Sequence, residues 1–159
     1  MSQPSRPLFA CRQPTHQHCV EQALHHAEQL CLRQSQRFTA LRRRVLELLW
    51  SRHEPVGAYE LLEQLRQDGR SAPATVYRAL EFLQQMGLVH RIASLNAYVG
   101  CARPGTPHDG QFFICEACHS LAELDVPAIT SAIEHSAAAS GFATRRHTVE
   151  ILGLCPRCR

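Results

Sequence analysis

The sequence of 159 residues predicts an α+β fold, in which an N-terminal winged helix-turn-helix domain is followed by a small α+β domain. Three observations lead to this prediction. Apolar residues recur at helical spacing as far as Gly87 and at strand-like spacing after it. A stretch that contains proline and glycine, 103–107, separates two parts of different composition. Two Cys-x-x-Cys pairs, 115–118 and 155–158, lie in the second part.

Four helices are expected in the first part. The first covers residues 19–33, and the second begins at Thr39, whose hydroxyl suits an N-cap. The third covers 58–68, and the fourth covers 73–87, with proline in its first turn and glycine at its end. The apolar residues expected to face a common core are Val20, Leu24, Ala27, Cys31, Leu41, Val45, Leu48, Leu49, Leu61, Leu62, Leu65, Val76, Leu80 and Leu83.

A β-hairpin is expected directly after the fourth helix. Residues 88–92 and 97–100 have the pattern of two short strands around a turn at 94–96. Three helices followed by such a hairpin form a winged helix-turn-helix, here with an extra helix in front. The third and fourth helices are the helix-turn-helix pair, so the fourth is expected to be the recognition helix.

Thr75, Tyr77 and Arg78 lie outside the apolar stripe of the expected recognition helix. They are near its N-terminus, the end that usually contacts base edges. The positive end of the helix dipole also lies there and favours phosphate. The alternative is an ordinary solvated helix face. Charge favours duplex DNA, because residues 33–91 carry ten arginines against six acidic residues, whereas residues 101–159 carry five against six. The candidate DNA contacts are Arg37, Arg43, Tyr59, Thr75, Tyr77 and Arg78.

The second part reads as a β-β-α-β unit. Strands are expected over 111–114, 121–126 and 143–152, with a helix over 127–140 that closes at Gly141. So small a unit with an unpaired sheet edge is suited to dimerise through that sheet.

Four cysteines of this part, Cys115, Cys118, Cys155 and Cys158, form two knuckles that supply the four sulfurs preferred by tetrahedral zinc. The alternative is disulfides or redox dithiols. The N-terminus lacks the apolar stretch of a signal peptide, and no apolar run is long enough to span a membrane. A cytoplasmic protein is therefore expected, in which cysteines favour metal over disulfides. The sequence predicts a structural zinc site.

Several segments together resemble the ferric uptake regulator (Fur) family over residues 19–159. They are RFTALRRRVL (37–46), APATVYRAL (72–80) and the two Cys-x-x-Cys pairs. Within the family, GLVH (87–90), NAYVGC (96–101) and FICEAC (113–118) most resemble the zinc uptake regulators. The resemblance implies a homodimeric, zinc-responsive transcriptional repressor without a small-molecule substrate. Together with composition and the expected elements, it predicts a flexible arm (1–18), a winged-helix DNA-binding domain (19–99), a hinge (100–110) and a dimerisation domain (111–159).

The resemblance also implies a second, regulatory zinc site at His90, Cys101, His108 and Glu123. One thiolate, two imidazoles and a carboxylate make a set that zinc accepts well, and the thiolate favours zinc over iron. The four residues surround the hinge, so a bound ion is expected to hold the DNA-binding domain against the dimerisation domain. Taken singly, each residue has a structural alternative, such as a histidine at a strand edge or in a loop.

Other metal-ligating residues are not assigned to a site. Cys11, His16, His18 and Cys19 lie in or beside the arm, and His147 is interpreted as structural although relatives use a histidine there. His119 replaces the glycine that is common after the first knuckle. The alternative functions are an iron or peroxide sensor of the same family and a zinc carrier. An enzyme is disfavoured because the His-x-Glu motif of zinc deaminases is absent.

Overall fold

The computed structural model describes residues 17–52, 54–69, 72–106 and 108–159. Their helices and strands, in chain order, are α1 (Gln17–Arg33), α2 (Ala40–Trp50), β1 (Val56–Gly57), α3 (Ala58–Gln67), α4 (Pro73–Gln85), β2 (Val89–Ile92), β3 (Ala97–Gly100), β4 (Gly110–Cys115), β5 (Leu121–Leu124), α5 (Pro127–Ala139) and β6 (Thr148–Gly153). The described chain divides into an N-terminal unit, residues 17–106, and a C-terminal unit, residues 108–159. The α+β class is confirmed.

The core of the N-terminal unit is built around α2. Thr39 caps this helix by accepting a hydrogen bond from the backbone N–H of Arg42, as its sequence predicts. Val45, Leu46 and Leu49 are buried on its inner face and belong to one cluster with the buried side chains of α1, α3 and α4. Helix α4, the expected recognition helix, therefore rests on a continuous apolar base that fixes its orientation.

The hairpin after α4 belongs to a three-stranded antiparallel sheet with the order β1-β3-β2. The expected hairpin is confirmed, with Asn96 at φ 46° in the turn. The two-residue strand β1 was not predicted, because two residues carry no periodicity from which a strand can be inferred. Its pairing places β3 in the centre of the sheet.

The C-terminal unit contains a second three-stranded sheet with the order β5-β4-β6, in which β4 pairs antiparallel with β5 and parallel with β6. The expected β-β-α-β order is confirmed. Phe112 of β4 is fully buried, whereas the residues of α5 are exposed or half-buried. Within the part of the chain that the structure describes, no helix has the length and apolar character needed to cross a membrane.

Several boundaries differ from the predicted ones. Helix α1 begins at Gln17, two residues earlier than predicted, and β5 ends at Leu124 because the chain turns to place Val126 as the N-cap of α5. Residues 143–147 were predicted to begin the last strand, but β6 begins only at Thr148. Thr148 pairs with Gly110, the first residue of β4, so the preceding residues have no strand opposite them. Cys11 and His16 lie outside the described residues.

Candidate metal sites and DNA-facing surface

Four cysteines meet at one end of the second sheet. The Sγ atoms of Cys115, Cys118, Cys155 and Cys158 all lie within 4.8 Å of one another, and those of Cys118 and Cys155 are 3.7 Å apart. Tetrahedral zinc with Zn–S bonds of 2.3 Å places its sulfurs about 3.8 Å apart. The donor set and its spacing therefore fit a closed, four-coordinate zinc site. None of the seven cysteines in the described residues forms a disulfide.

Backbone hydrogen bonds hold both knuckles in place. The N–H of His119 donates to the carbonyl of Cys115 at 2.9 Å, and the N–H of Cys158 donates to the carbonyl of Cys155 at 3.0 Å. A third bond joins the two knuckles, because the N–H of Cys155 donates to Sγ of Cys115 at 3.3 Å. His119 sits at φ 56°, a conformation that favours glycine, and its side chain is exposed.

The protonation behaviour of the sulfurs also points to a cation. The pKa of Cys115 is lowered, mainly by N–H donors from the backbones of Cys155 and Cys118. Burial raises the pKa of Cys155, but the backbone N–H of Arg157 and the neighbouring thiols outweigh it and lower this pKa to about 6. Interactions with Cys118 and Cys155 raise the pKa of Cys158 to about 12. Cys158 therefore keeps its proton near neutral pH unless a bound cation replaces that proton.

Two of the other four predicted ligands lie together in the N-terminal unit. His90 is in β2 opposite Val99, and Cys101 follows β3 directly. Their ligand atoms lie within 4.8 Å of each other. The N–H of Cys101 donates to the carbonyl of Leu88 at 2.9 Å, and Sγ of Cys101 accepts a hydrogen bond from the N–H of Arg103 at 3.4 Å. These bonds position the thiol beside the imidazole.

The remaining two predicted ligands lie together in the C-terminal unit. His108 precedes β4, and Glu123 lies in β5 opposite Phe112. Nε2 of His108 is 2.7 Å from Oε1 of Glu123. This close pair couples an imidazole to a carboxylate, the two ligand types that complement a thiolate and a second imidazole around zinc.

His147 has a different environment. It directly precedes β6, and its Nε2 is buried and 3.5 Å from Oδ2 of Asp109, which directly precedes β4. Because β4 and β6 are parallel, the two side chains meet at the same end of the sheet. The pair fits the interpretation of His147 as a structural residue.

The six candidate DNA contacts are all exposed. Two large aromatic side chains stand out, because Tyr59 near the start of α3 is 80% exposed and Tyr77 of α4 is 44% exposed. Thr75 and Arg78 are exposed on the same helix as Tyr77, whereas Val76 and Leu80 face the core. Arg37 and Arg43 are exposed before and within α2.

The three consecutive arginines of α2 have distinct partners, which the sequence did not reveal. The guanidinium of Arg42 stacks 3.3 Å from the ring centroid of Phe82 and donates to the carbonyl of Arg37. Arg44 forms ion pairs with Asp68 at 2.7 Å and Glu47 at 3.0 Å, and these bonds raise its pKa. Arg43 pairs with Glu28 of α1. Arg42 and Arg44 therefore tie helices together.

The model of the ferric uptake regulator family matches residues 33–152, most of the chain. The chain belongs to this family. The zinc uptake regulation protein of Escherichia coli (strain K12) is 36% identical over 141 residues, which cover 87% of this chain and 82% of that protein. The predicted family resemblance is confirmed.

Two solved structures of the family show the same fold. A zinc uptake regulator complexed with zinc and DNA matches with a TM-score of 0.84 at 36% identity, covering 87% of this chain and 94% of that one. A structure of holo XcZur matches with a TM-score of 0.80 at 41% identity, covering 85% of this chain and 95% of that one.

Proposed function

We propose that this chain is a zinc-responsive transcriptional repressor that binds operator DNA as a homodimer and controls genes of zinc uptake. The observation that carries the proposal is the arrangement of His90 with Cys101 and of His108 with Glu123, on either side of the segment that joins the two units. The likeness to zinc uptake regulators, one of them solved with zinc and DNA, supports it.

The ligand types favour zinc at the regulatory site. A thiolate from Cys101 suits zinc better than it suits the iron sensors of the family, whose sites tend toward nitrogen and oxygen ligands. The N–H of Arg103 donates a hydrogen bond to Sγ of Cys101, which helps to hold this sulfur in place as a ligand. We therefore propose that the protein senses zinc rather than iron or peroxide.

The regulatory residues also suggest how zinc controls DNA binding. His90 and Cys101 belong to the unit that carries the recognition helix, and His108 and Glu123 belong to the other unit. Zinc held by both pairs would join the two units and limit their relative movement. In a dimer this sets the separation of two recognition helices, which must match half-sites on the DNA. Without that restraint, ordering the units on DNA costs affinity.

The four-cysteine site serves a separate, structural purpose in this proposal. Its sulfurs form a closed set with no open position for a substrate or a reactive water, which argues against catalysis there. It also joins the end of β4 to the chain after β6, so the sheet depends on it. The protein would thus hold two zinc ions per protomer, one permanent and one regulatory.

The C-terminal unit offers a surface for the second protomer. The residues of α5 are exposed or half-buried, although its sequence is rich in alanine and isoleucine. Ile151 and Leu152 of the edge strand β6, with Leu154 after it, are 39%, 49% and 56% exposed. Apolar surface at an unpaired sheet edge is typical of a dimer interface.

The experiment that tests the proposal compares DNA binding of the wild type and Cys101→Ser at controlled free zinc. Serine preserves size but binds zinc poorly, so the variant should keep one zinc per protomer, dimerise and lose tight operator binding. Cys19→Ser is the matched control, because Cys19 lies on α1 outside both ligand sets. Normal operator binding by Cys101→Ser at the same free zinc would refute the regulatory assignment. A wild type that binds zinc but no duplex DNA would indicate a zinc carrier instead.

A further inference from the structure

The indole of Trp50 packs directly against the backbone of Gly100. A Cβ atom placed on Gly100 would overlap three atoms of the indole ring, Nε1, Cε2 and Cδ1. Only glycine permits so close an approach of a ring to a strand. Trp50 is the last residue of α2, it packs against the main core, and it is the single tryptophan of the chain.

This contact lies immediately before a proposed zinc ligand. Gly100 pairs with Val89 in the central strand, and the next residue, Cys101, continues the pairing through its bond to Leu88. Successive residues of a strand point to opposite faces. The indole therefore lies behind the strand, and the side chain of Cys101 points away from it. His90 is opposite Val99, which shares the face of Cys101.

We propose that Trp50 is a positioning residue for the His90–Cys101 pair. The rigid ring, held by the core, prevents β3 from moving back toward α2 and so keeps the thiol at its distance from the imidazole. This inference rests on the proposed function, because it takes the pair as half of the regulatory zinc site. Hydrogen-bonded neighbours that orient metal ligands typically change metal affinity by about 10-fold to 100-fold when they are lost, and we expect a loss in this range for the packing contact of Trp50.

The inference predicts a specific pattern in three variants. Gly100→Ala forces the strand away from the indole ring and should lower the affinity for the second, regulatory zinc by about 100-fold. Trp50→Leu removes the support behind the strand and should lower this affinity by about 10-fold. The double variant should bind zinc about as well as Trp50→Leu alone, because the smaller side chain leaves room for the added methyl. Gly57→Ala is the matched control, since a Cβ on this glycine of the same sheet meets nothing within 4 Å.

The measurements are the affinity for the second zinc by competition with a chelator, and the thermal midpoint and structural zinc content of each variant. In proteins that retain Trp50, its fluorescence should also change when the second zinc binds, and Cys101→Ser should abolish this change. A purely structural role for Trp50 would lower the thermal midpoint and leave zinc affinity unchanged, which would overturn the inference.

The outcomes separate this inference from the proposed function. If Gly100→Ala binds the second zinc like the wild type, or if Trp50→Leu does not rescue it, Trp50 does not position the pair, although the zinc site stands. If Gly100→Ala does not fold, unchanged zinc affinity in Trp50→Leu alone refutes the inference. If Cys101→Ser itself keeps the second zinc, the proposed regulatory site is wrong.

Discussion

Neighbouring arginines of α2 illustrate how partners decide the role of a side chain. The guanidinium of Arg42 stacks on the ring of Phe82, and that of Arg44 forms ion pairs with Asp68 and Glu47. Arg43 has one exposed ion pair with Glu28, and exposed pairs of this kind contribute only about 0–1 kcal/mol. A phosphate group can therefore replace Glu28 at little cost. This makes Arg43 the member of the triplet best suited to contact the DNA backbone.

Arg78 is the residue for which we expect base-specific readout. It is exposed near the N-terminal end of α4, where a guanidinium can reach guanine in the major groove. Arg78→Ala should cost about 1–3 kcal/mol on the operator and relax preference at one base pair. Binding to operator and random duplex at fixed zinc measures this, and equal losses on both would remove Arg78 from base readout.

Arg43→Ala provides the contrasting case. If Arg43 contacts phosphate, its loss should weaken operator and random DNA by a similar factor and reduce the salt dependence of binding. Titration across several salt concentrations measures the slope. A loss confined to the operator would contradict a phosphate contact.

Helix α5 is attached to its sheet by a buried glutamine. Gln111 of β4 is 1% exposed, and its amide donates to the carbonyl of Val126 at 3.2 Å and to the hydroxyl of Thr130 at 3.1 Å. Its oxygen accepts from the N–H of Val126 at 3.1 Å. Val126 is the N-cap of α5 and has no side-chain capping bond of its own, so Gln111 satisfies the helix start from another element.

Replacing this anchor should destabilise the C-terminal unit. Gln111→Leu removes the acceptor of the Val126 N–H and the donor to Thr130, while the Val126 carbonyl keeps its bonds from Ile129 and Thr130. The loss should lower the free energy of unfolding by about 1–3 kcal/mol. Urea unfolding of the zinc-loaded protein measures the change, and Gln67→Leu on the exposed end of α3 is the control. A stability loss no larger than that of the control would show that solvent replaces these bonds.

Strand β6 is expected to carry part of the dimer interface. Leu152→Asp would place a carboxylate in an apolar contact, and the cost of removing a charge from water should raise the dimer dissociation constant by at least about 10-fold. Leu32→Asp is the matched control, because Leu32 is 73% exposed on α1 in the other unit. Analytical ultracentrifugation measures the dimer dissociation constant of both variants. Equal dissociation constants for Leu152→Asp and Leu32→Asp would show that β6 is not part of the interface.

The protein as a whole should bind zinc in two separable classes. The four-cysteine site is closed and joins segments far apart in the chain, whereas the proposed regulatory site needs ligands from both units. Mild chelation should therefore remove the regulatory zinc and abolish DNA binding, while the structural zinc and the dimer remain. Metal analysis together with sedimentation of the treated protein measures this. Loss of both ions in a single step from an intact dimer would contradict the separation.

Local pattern and spacing were sufficient to predict much of this architecture. The α2 N-cap at Thr39, the proline at the start of α4 and the hairpin after it follow from interactions within a few residues. The two cysteine knuckles follow equally, because each Cys-x-x-Cys pair shapes its own turn. Two such pairs together supply four sulfurs that suit tetrahedral zinc. The exposed face of α4 follows from its helical period.

Contacts between distant residues were decided only by the tertiary structure. The overlap that excludes a side chain at Gly100 depends on Trp50, fifty positions earlier, and the start of α5 depends on Gln111 of another element. The last strand begins at Thr148 because β4 begins at Gly110, not because of any signal near residue 148. The same holds for the partners of Arg42, Arg43 and Arg44. Sequence periodicity shows which face of an element is apolar, but the identity of the facing residue depends on how the chain closes its loops in three dimensions.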